Sequence, residues 1–163
     1  MNTLRELKLE STIDNLNIVQ KFVEDICDEY NINNTYFGNI STAITEAVKN
    51  AIIHGNKNIA TKNVTISFKQ TEGSLLFVIK DEGSGFDIQS IPDPTEVEYS
   101  ETKGTGIFLL TSLSDGVRFT NNGSTVEISF NIASINSTIA LDRIQRLHHY
   151  STSKETKELH NKE

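Results

Sequence analysis

Thr42-Ala43-Ile44-Thr45-Glu46-Ala47-Val48-Lys49-Asn50-Ala51-Ile52-Ile53-His54-Gly55-Asn56 is the stretch on which the fold turns. Apolar residues recur at Phe37, Ile40, Ile44, Ala47, Val48, Ala51 and Ile52, the spacing of one helix face. Asn34 is the expected N-cap and Gly55 the expected C′ stop. Glu46 and Asn50 are four residues apart and so stand one above the other. At about 100° per residue they fall on the flank of the apolar stripe, not at its centre. A carboxylate and an amide held there can face a cleft while their helix stays anchored in a core. Glu-x-x-x-Asn alone is common by chance and equally describes a solvated helix face. The rest of the chain has to decide between the two.

Upstream, Leu7 and Leu9 alternate with polar neighbours, a weak first strand. Ser11-Thr12-Ile13-Asp14 offers a cap with an acidic first turn. A helix is expected to follow, with Leu16, Val19, Val23, Ile26, Cys27 and Tyr30 on one face. Downstream, Asn56 to Lys62 reads as polar loop. Val64, Ile66 and Phe68 alternate with polar residues, the pattern of a half-buried strand. Thr71-Glu72-Gly73-Ser74 is a hairpin connection, and Leu75 to Ile79 reads as a central strand. It ends at Asp81-Glu82-Gly83-Ser84-Gly85-Phe86-Asp87. Ile88 to Lys103 then holds both prolines of the chain, Pro92 and Pro94, together with Asp93, Glu96, Glu98 and Glu101. A connection this long inside a compact domain is usually functional. Lys103-Gly104-Thr105-Gly106 closes it, and Ile107 to Leu113 reads as a helix. Val117 and Phe119, the turn Asn121-Asn122-Gly123, and Val126, Ile128, Phe130 and Ile132 make a last hairpin. The expected division is a domain over residues 1–134 and a short helix with a polar tail over residues 135–163.

Composition sets the outer bounds. The chain has 163 residues, 36% hydrophobic and 23% charged, ordinary for one globular domain with a core. A net charge of −7 argues against direct, non-specific nucleic-acid binding. No apolar run approaches a membrane span, and the first residues lack the apolar core of a signal peptide. The single cysteine, Cys27, sits in an amphipathic pattern and reads as a small core residue, which suits a reducing cytoplasm. The expectation is a cytoplasmic protein with no membrane partner.

Three separated pieces gain meaning together: Glu46 with Asn50, Asp81-x-Gly83-x-Gly85, and Gly104-x-Gly106. Asp81 ends a buried strand and is followed by glycines that let a ligand approach the backbone. Gly104 and Gly106 open a helix, where free N–H groups and the helix dipole favour phosphate. The amide oxygen of Asn50 can take a magnesium ion whose shell phosphates complete. The three describe a nucleotide site: base at Asp81, phosphates at Gly104 to Gly106, metal at Asn50. Common alternatives are missing. There is no Gly-x-x-x-x-Gly-Lys-Ser/Thr loop, no third glycine of a dinucleotide fingerprint, and no His-Arg-Asp or Asp-Phe-Gly kinase set.

These residues resemble a known family. Glu46 to Gly55 is similar to the N box of the ATP-binding superfamily of gyrase, Hsp90, histidine kinases and mismatch-repair ATPases. Within it, the run is most similar to the bacterial anti-sigma factor serine kinases. Asp81 to Phe86 resembles the G1 box, Lys103 to Ile107 the G2 box, and Gly123-Ser124-Thr125 the start of the last strand. The resemblance covers about Leu7 to Ile132. It implies a Bergerat-type α/β (α+β) two-layer sandwich: a mixed, mostly antiparallel sheet with helices on one face. It further implies that Asn50 binds Mg2+ and that Glu46 is the general base. Asp81 would receive the adenine amino group, and Gly83 and Gly85 would make room for base and sugar. Gly104, Thr105 and Gly106 would cradle the phosphates of ATP, with Thr125 near adenine and residues 88–103 as a lid.

Function needs more than a fold. Histidine kinases require an upstream dimerisation helix, and gyrase and Hsp90 relatives require further domains. The expectation is a stand-alone protein serine/threonine kinase, a homodimer, that binds a sigma factor. It would phosphorylate a STAS-type anti-anti-sigma partner. The competing expectation is an ATP-binding interaction module that transfers no phosphate. Glu46 separates the two, because only transfer needs a base for the acceptor proton.

Overall fold

Alternation along the strands sorts the side chains into two faces. Val64, Ile66 and Phe68, Leu75, Phe77 and Ile79, and Val126, Ile128 and Phe130 are all buried, while their in-between neighbours are not. A computed structural model describes residues 4–85, 87, 105–137, 141, 144–145 and 148–149. In it, β1 (Arg5–Glu10) is followed by α1 (Leu16–Glu29) and α2 (Asn34–Asn50). Then come β2 (Asn63–Gln70), β3 (Ser74–Asp81), α3 (Thr105–Leu113), β4 (Gly116–Thr120) and β5 (Thr125–Asn131). The five strands form one sheet in the order β1-β2-β3-β5-β4. All four pairings are antiparallel, so the expected mixed sheet is in fact uniformly antiparallel. The reason is the crossover through α3. It places β4 outside β5, so β3 and β4, which run in the same direction, are kept apart by β5.

The helices carry the complementary stripes. Val19, Val23, Ile26 and Cys27 of α1 and Ile40, Ala43, Ile44, Ala47 and Val48 of α2 are buried against the sheet. Aromatic contacts tie the layers together. Phe77 meets Phe68 at 4.9 Å and Phe130 at 6.1 Å between ring centroids, and Tyr36 of α2 meets Phe130 at 6.4 Å.

Several local expectations are corrected. The N-cap of α2 is Asn33, whose side chain accepts from the Tyr36 amide at 2.8 Å. Ser11 caps nothing: it is buried and its hydroxyl donates to the Lys62 carbonyl at 2.8 Å. Ile132 is not in the last strand, which ends at Asn131; residues 132–137 are helical. Ile135, assigned to the tail, is buried and joins the core. The expected lid at residues 88–103, Gly104, and the tail from residue 150 lie outside the described residues.

Candidate nucleotide site

The helix expected to end at Gly55 widens before it stops. Residues Ala51–Gly55 form a π-type turn, in which the Asn56 amide donates to the Ala51 carbonyl at 2.8 Å. Such turns concentrate at functional sites, because one extra residue re-aims the backbone. Here it drives Gly55 against the end of β3. A Cβ at Gly55 would stand 2.3 Å from the Asp81 carboxyl carbon. A Cβ at Gly83 would stand 2.0 Å from the Gly55 carbonyl oxygen. The two glycines interlock, so Gly55 is demanded by close approach to Asp81 and not by a C′ stop. Gly83 likewise makes room for protein backbone. So does Gly85, whose φ of +84° and 2.1 Å approach to the Asn122 carbonyl both exclude a side chain. These close approaches by themselves account for glycine at both positions, where the sequence pointed to room for base and sugar.

Asp81 is 4% exposed. One carboxylate oxygen accepts from the Gly83 amide at 2.8 Å, and its own amide donates to the Ser124 carbonyl at 2.9 Å. Burial pushes its pKa above the usual carboxylate range, against the Gly83 hydrogen bond and the charge of Lys62, which pull it down. A carboxylate accepts at about four positions, so capacity remains for a donor from outside. That donor would enter a shallow cleft whose walls include Asp81, Asn50, Ala47, Ile79, Phe119 and Val126. A mostly apolar cleft with one carboxylate at its base suits a flat, partly polar ring.

At the other end of the cleft, α3 meets α2. A Cβ at Gly106 would lie 3.0 Å from Glu46 Oε2 and 3.2 Å from Asn50 Oδ1. The first turn of α3 thus abuts both flank residues of α2, and only glycine leaves that corner open. Glu46 keeps 22% of its side chain exposed, and Lys49 Nζ lies 3.9 Å from its Oε2. Among the described residues, no group of three or more His, Cys, Asp or Glu side chains is placed to hold a metal. An ion at Asn50 would need further oxygen ligands, which is how magnesium binds beside phosphates.

Asn50 and Asp81 therefore line one cleft, and Gly106 and Glu46 meet Asn50 at its edge. Thr105 is the first residue of α3, and Gly104 lies outside the described residues. Thr125 is buried beside the cleft: it pairs with Lys80 of β3, and its hydroxyl accepts from Asn121 at 3.2 Å. Its neighbours Gly123, Ser124 and Val126 line the cleft. Asn56, read as polar loop, is 0% exposed and hydrogen-bonded on three sides. Its sequence neighbours, His54-Gly55 before it and Lys57-Asn58 after it, gave no signal of this.

Residues 9–130 match the family described as the histidine kinase-like ATPase domain. A serine-protein kinase RsbW of Oceanobacillus iheyensis is 23% identical over 71% of this chain and 78% of that protein. An anti-sigma F factor of Geobacillus kaustophilus is 35% identical over 58% of this chain and 68% of that protein. The fold is similar to that in a crystal structure of RsbU and RsbW domains from Mycobacterium tuberculosis, with a TM-score of 0.55 and 15% identity. That match covers 79% of this chain, which spans about a third (32%) of the longer one. The chain belongs to the histidine kinase-like ATPase domain family.

Proposed function

We propose that this chain is an ATP-dependent protein serine/threonine kinase and anti-sigma factor. It binds a sigma factor and phosphorylates a hydroxyl of an anti-anti-sigma partner. The observation that carries the reading is the corner in the first turn of α3, where the Glu46 carboxylate and the Asn50 amide oxygen both come within 3.2 Å of where a side chain on Gly106 would begin. Mere nucleotide binding needs the helix turn and the amide oxygen; a carboxylate beside them is what transfer to a hydroxyl needs. The names of the relatives, serine-protein kinase and anti-sigma F factor, support the same reading.

The residues fit MgATP. Asp81 accepts from the adenine amino group, and the apolar walls of the cleft cover the ring. The open corner at Gly106 leaves the α3 amides free to face phosphate. Asn50 holds the magnesium ion, which when bound neutralises charge on the phosphates. Glu46 accepts the proton of the serine or threonine hydroxyl as its oxygen bonds to the γ-phosphorus. The bond from that phosphorus to the β–γ bridging oxygen breaks, and ADP departs. The test is incubation of the chain with MgATP and candidate anti-anti-sigma proteins, followed by phosphosite mapping. A phosphoserine or phosphothreonine on one partner is expected. ATP binding with no transfer to any partner would favour the interaction module instead.

A further inference from the structure

The amide of Asn56 is fully buried, and its three hydrogen bonds join parts of the chain far apart in sequence. Its Oδ1 accepts from the Glu82 amide at 2.8 Å. Its Nδ2 donates to Ser11 Oγ at 2.7 Å and to the Asn63 carbonyl at 2.9 Å. Glu82 closes the ring, because its carboxylate accepts from the Asn63 amide. Glu82 is the residue between Asp81 and Gly83, whose amide fixes the Asp81 carboxylate. The π-type turn aims Asn56 inward, so the helix that carries Glu46 and Asn50 also grips the loop that carries Asp81.

We propose that Asn56 is a positioning residue for nucleobase selection: through the Glu82 amide it sets where the Asp81 carboxylate sits, without touching nucleotide. This rests on the nucleotide-binding reading above. Adenine presents an amino donor where guanine presents a carbonyl acceptor. An acceptor-only carboxylate separates the two only while it is held at that position.

The experiment measures ATP and GTP affinities by calorimetry for the parent, Asn56→Ala, Asn56→Asp and Ser11→Ala, with a melting curve for each. Asn56→Ala should cut the parent's preference for ATP at least about fivefold, the worth of one hydrogen bond. Asn56→Asp keeps an acceptor for the Glu82 amide and should hold the preference within about twofold, even where it melts lower. Ser11→Ala removes a partner of Nδ2 and a hydroxyl bond to the Lys62 carbonyl but leaves the bond to the Glu82 amide; it should lower melting and leave the preference alone. A parent-like preference in Asn56→Ala, or a loss in Asn56→Asp as large as in Asn56→Ala, overturns the proposal. Should neither Asn56 variant fold, an altered preference in Ser11→Ala overturns it. A parent that binds neither nucleotide removes the nucleotide reading itself, a distinct outcome from ATP binding whose selectivity ignores Asn56.

Discussion

Gly55→Ala should damage the site through a single methyl group. The added Cβ would lie 2.3 Å from both Cγ and Oδ2 of Asp81 and 2.8 Å from Oδ1. Ordinary contact begins near 3.4 Å, so the carboxylate has to retreat by about 1 Å, well beyond ordinary packing slack. It cannot do so freely, because Gly83 holds Oδ1 and the Gly55 carbonyl presses on Gly83. Overpacking of this kind costs about 1–3 kcal/mol. At this chain length that is a fall in Tm of about 2–4 °C per kcal/mol. If Asp81 accepts from adenine as proposed, the displaced carboxylate also loses that hydrogen bond, worth about 1.5–3 kcal/mol for a charged partner. ATP affinity should therefore drop about tenfold to a hundredfold. Gly38→Ala is the control on the same helix. Its Cβ meets nothing within 4 Å, and replacing an exposed helical glycine should gain about 1 kcal/mol. Scanning calorimetry and ATP titration on both variants read the two effects. Gly55→Ala with parental melting and ATP affinity within about twofold, far short of one charged hydrogen bond, would refute the interlock of Gly55, Asp81 and Gly83.

Asp81→Asn replaces an acceptor with a donor at the base end, so ATP affinity should fall while GTP, with its carbonyl, gains relative to it. Because burial raises the Asp81 pKa in the folded state, that state holds the proton more tightly than the unfolded chain. Its contribution to stability is therefore best below the unfolded pKa and declines as pH rises through the folded pKa. Asp81→Asn should remove that slope, and ATP affinity of the parent should weaken as acid protonates Asp81 at a pH above that of an ordinary carboxylate. Asn50→Ala should weaken ATP binding in magnesium by about tenfold or more, with little change in chelator. Equal losses in both conditions would remove Asn50 from the metal.

Much of the fold was legible because periodicity reports burial directly. Val64 to Phe68, Leu75 to Ile79 and the stripe on α2 all appear where their patterns place them. The site was legible wherever a residue type has one dominant use. Asn50 and Asp81 share one cleft, and Gly106 abuts Glu46 and Asn50, so pieces far apart in the chain lie close together. What was missed depends on the third dimension. Gly83 and Gly85 look like ligand glycines, yet the atoms that exclude a side chain there belong to Gly55 and Asn122. Asn56 reads as loop because nothing local announces a π-type turn, and its partners lie up to 45 residues away.

The most direct test is a single-turnover transfer assay on Glu46→Gln with a phosphate-accepting anti-anti-sigma protein, run beside an ATP titration. Gln keeps the size and hydrogen-bonding ability of Glu46 but cannot take the hydroxyl proton. The account predicts parental ATP affinity with transfer slowed about 10²–10⁴-fold, the range of a positioned general base. Transfer within about threefold of the parent, well short of that range, would contradict it and leave Glu46 as a binding residue only.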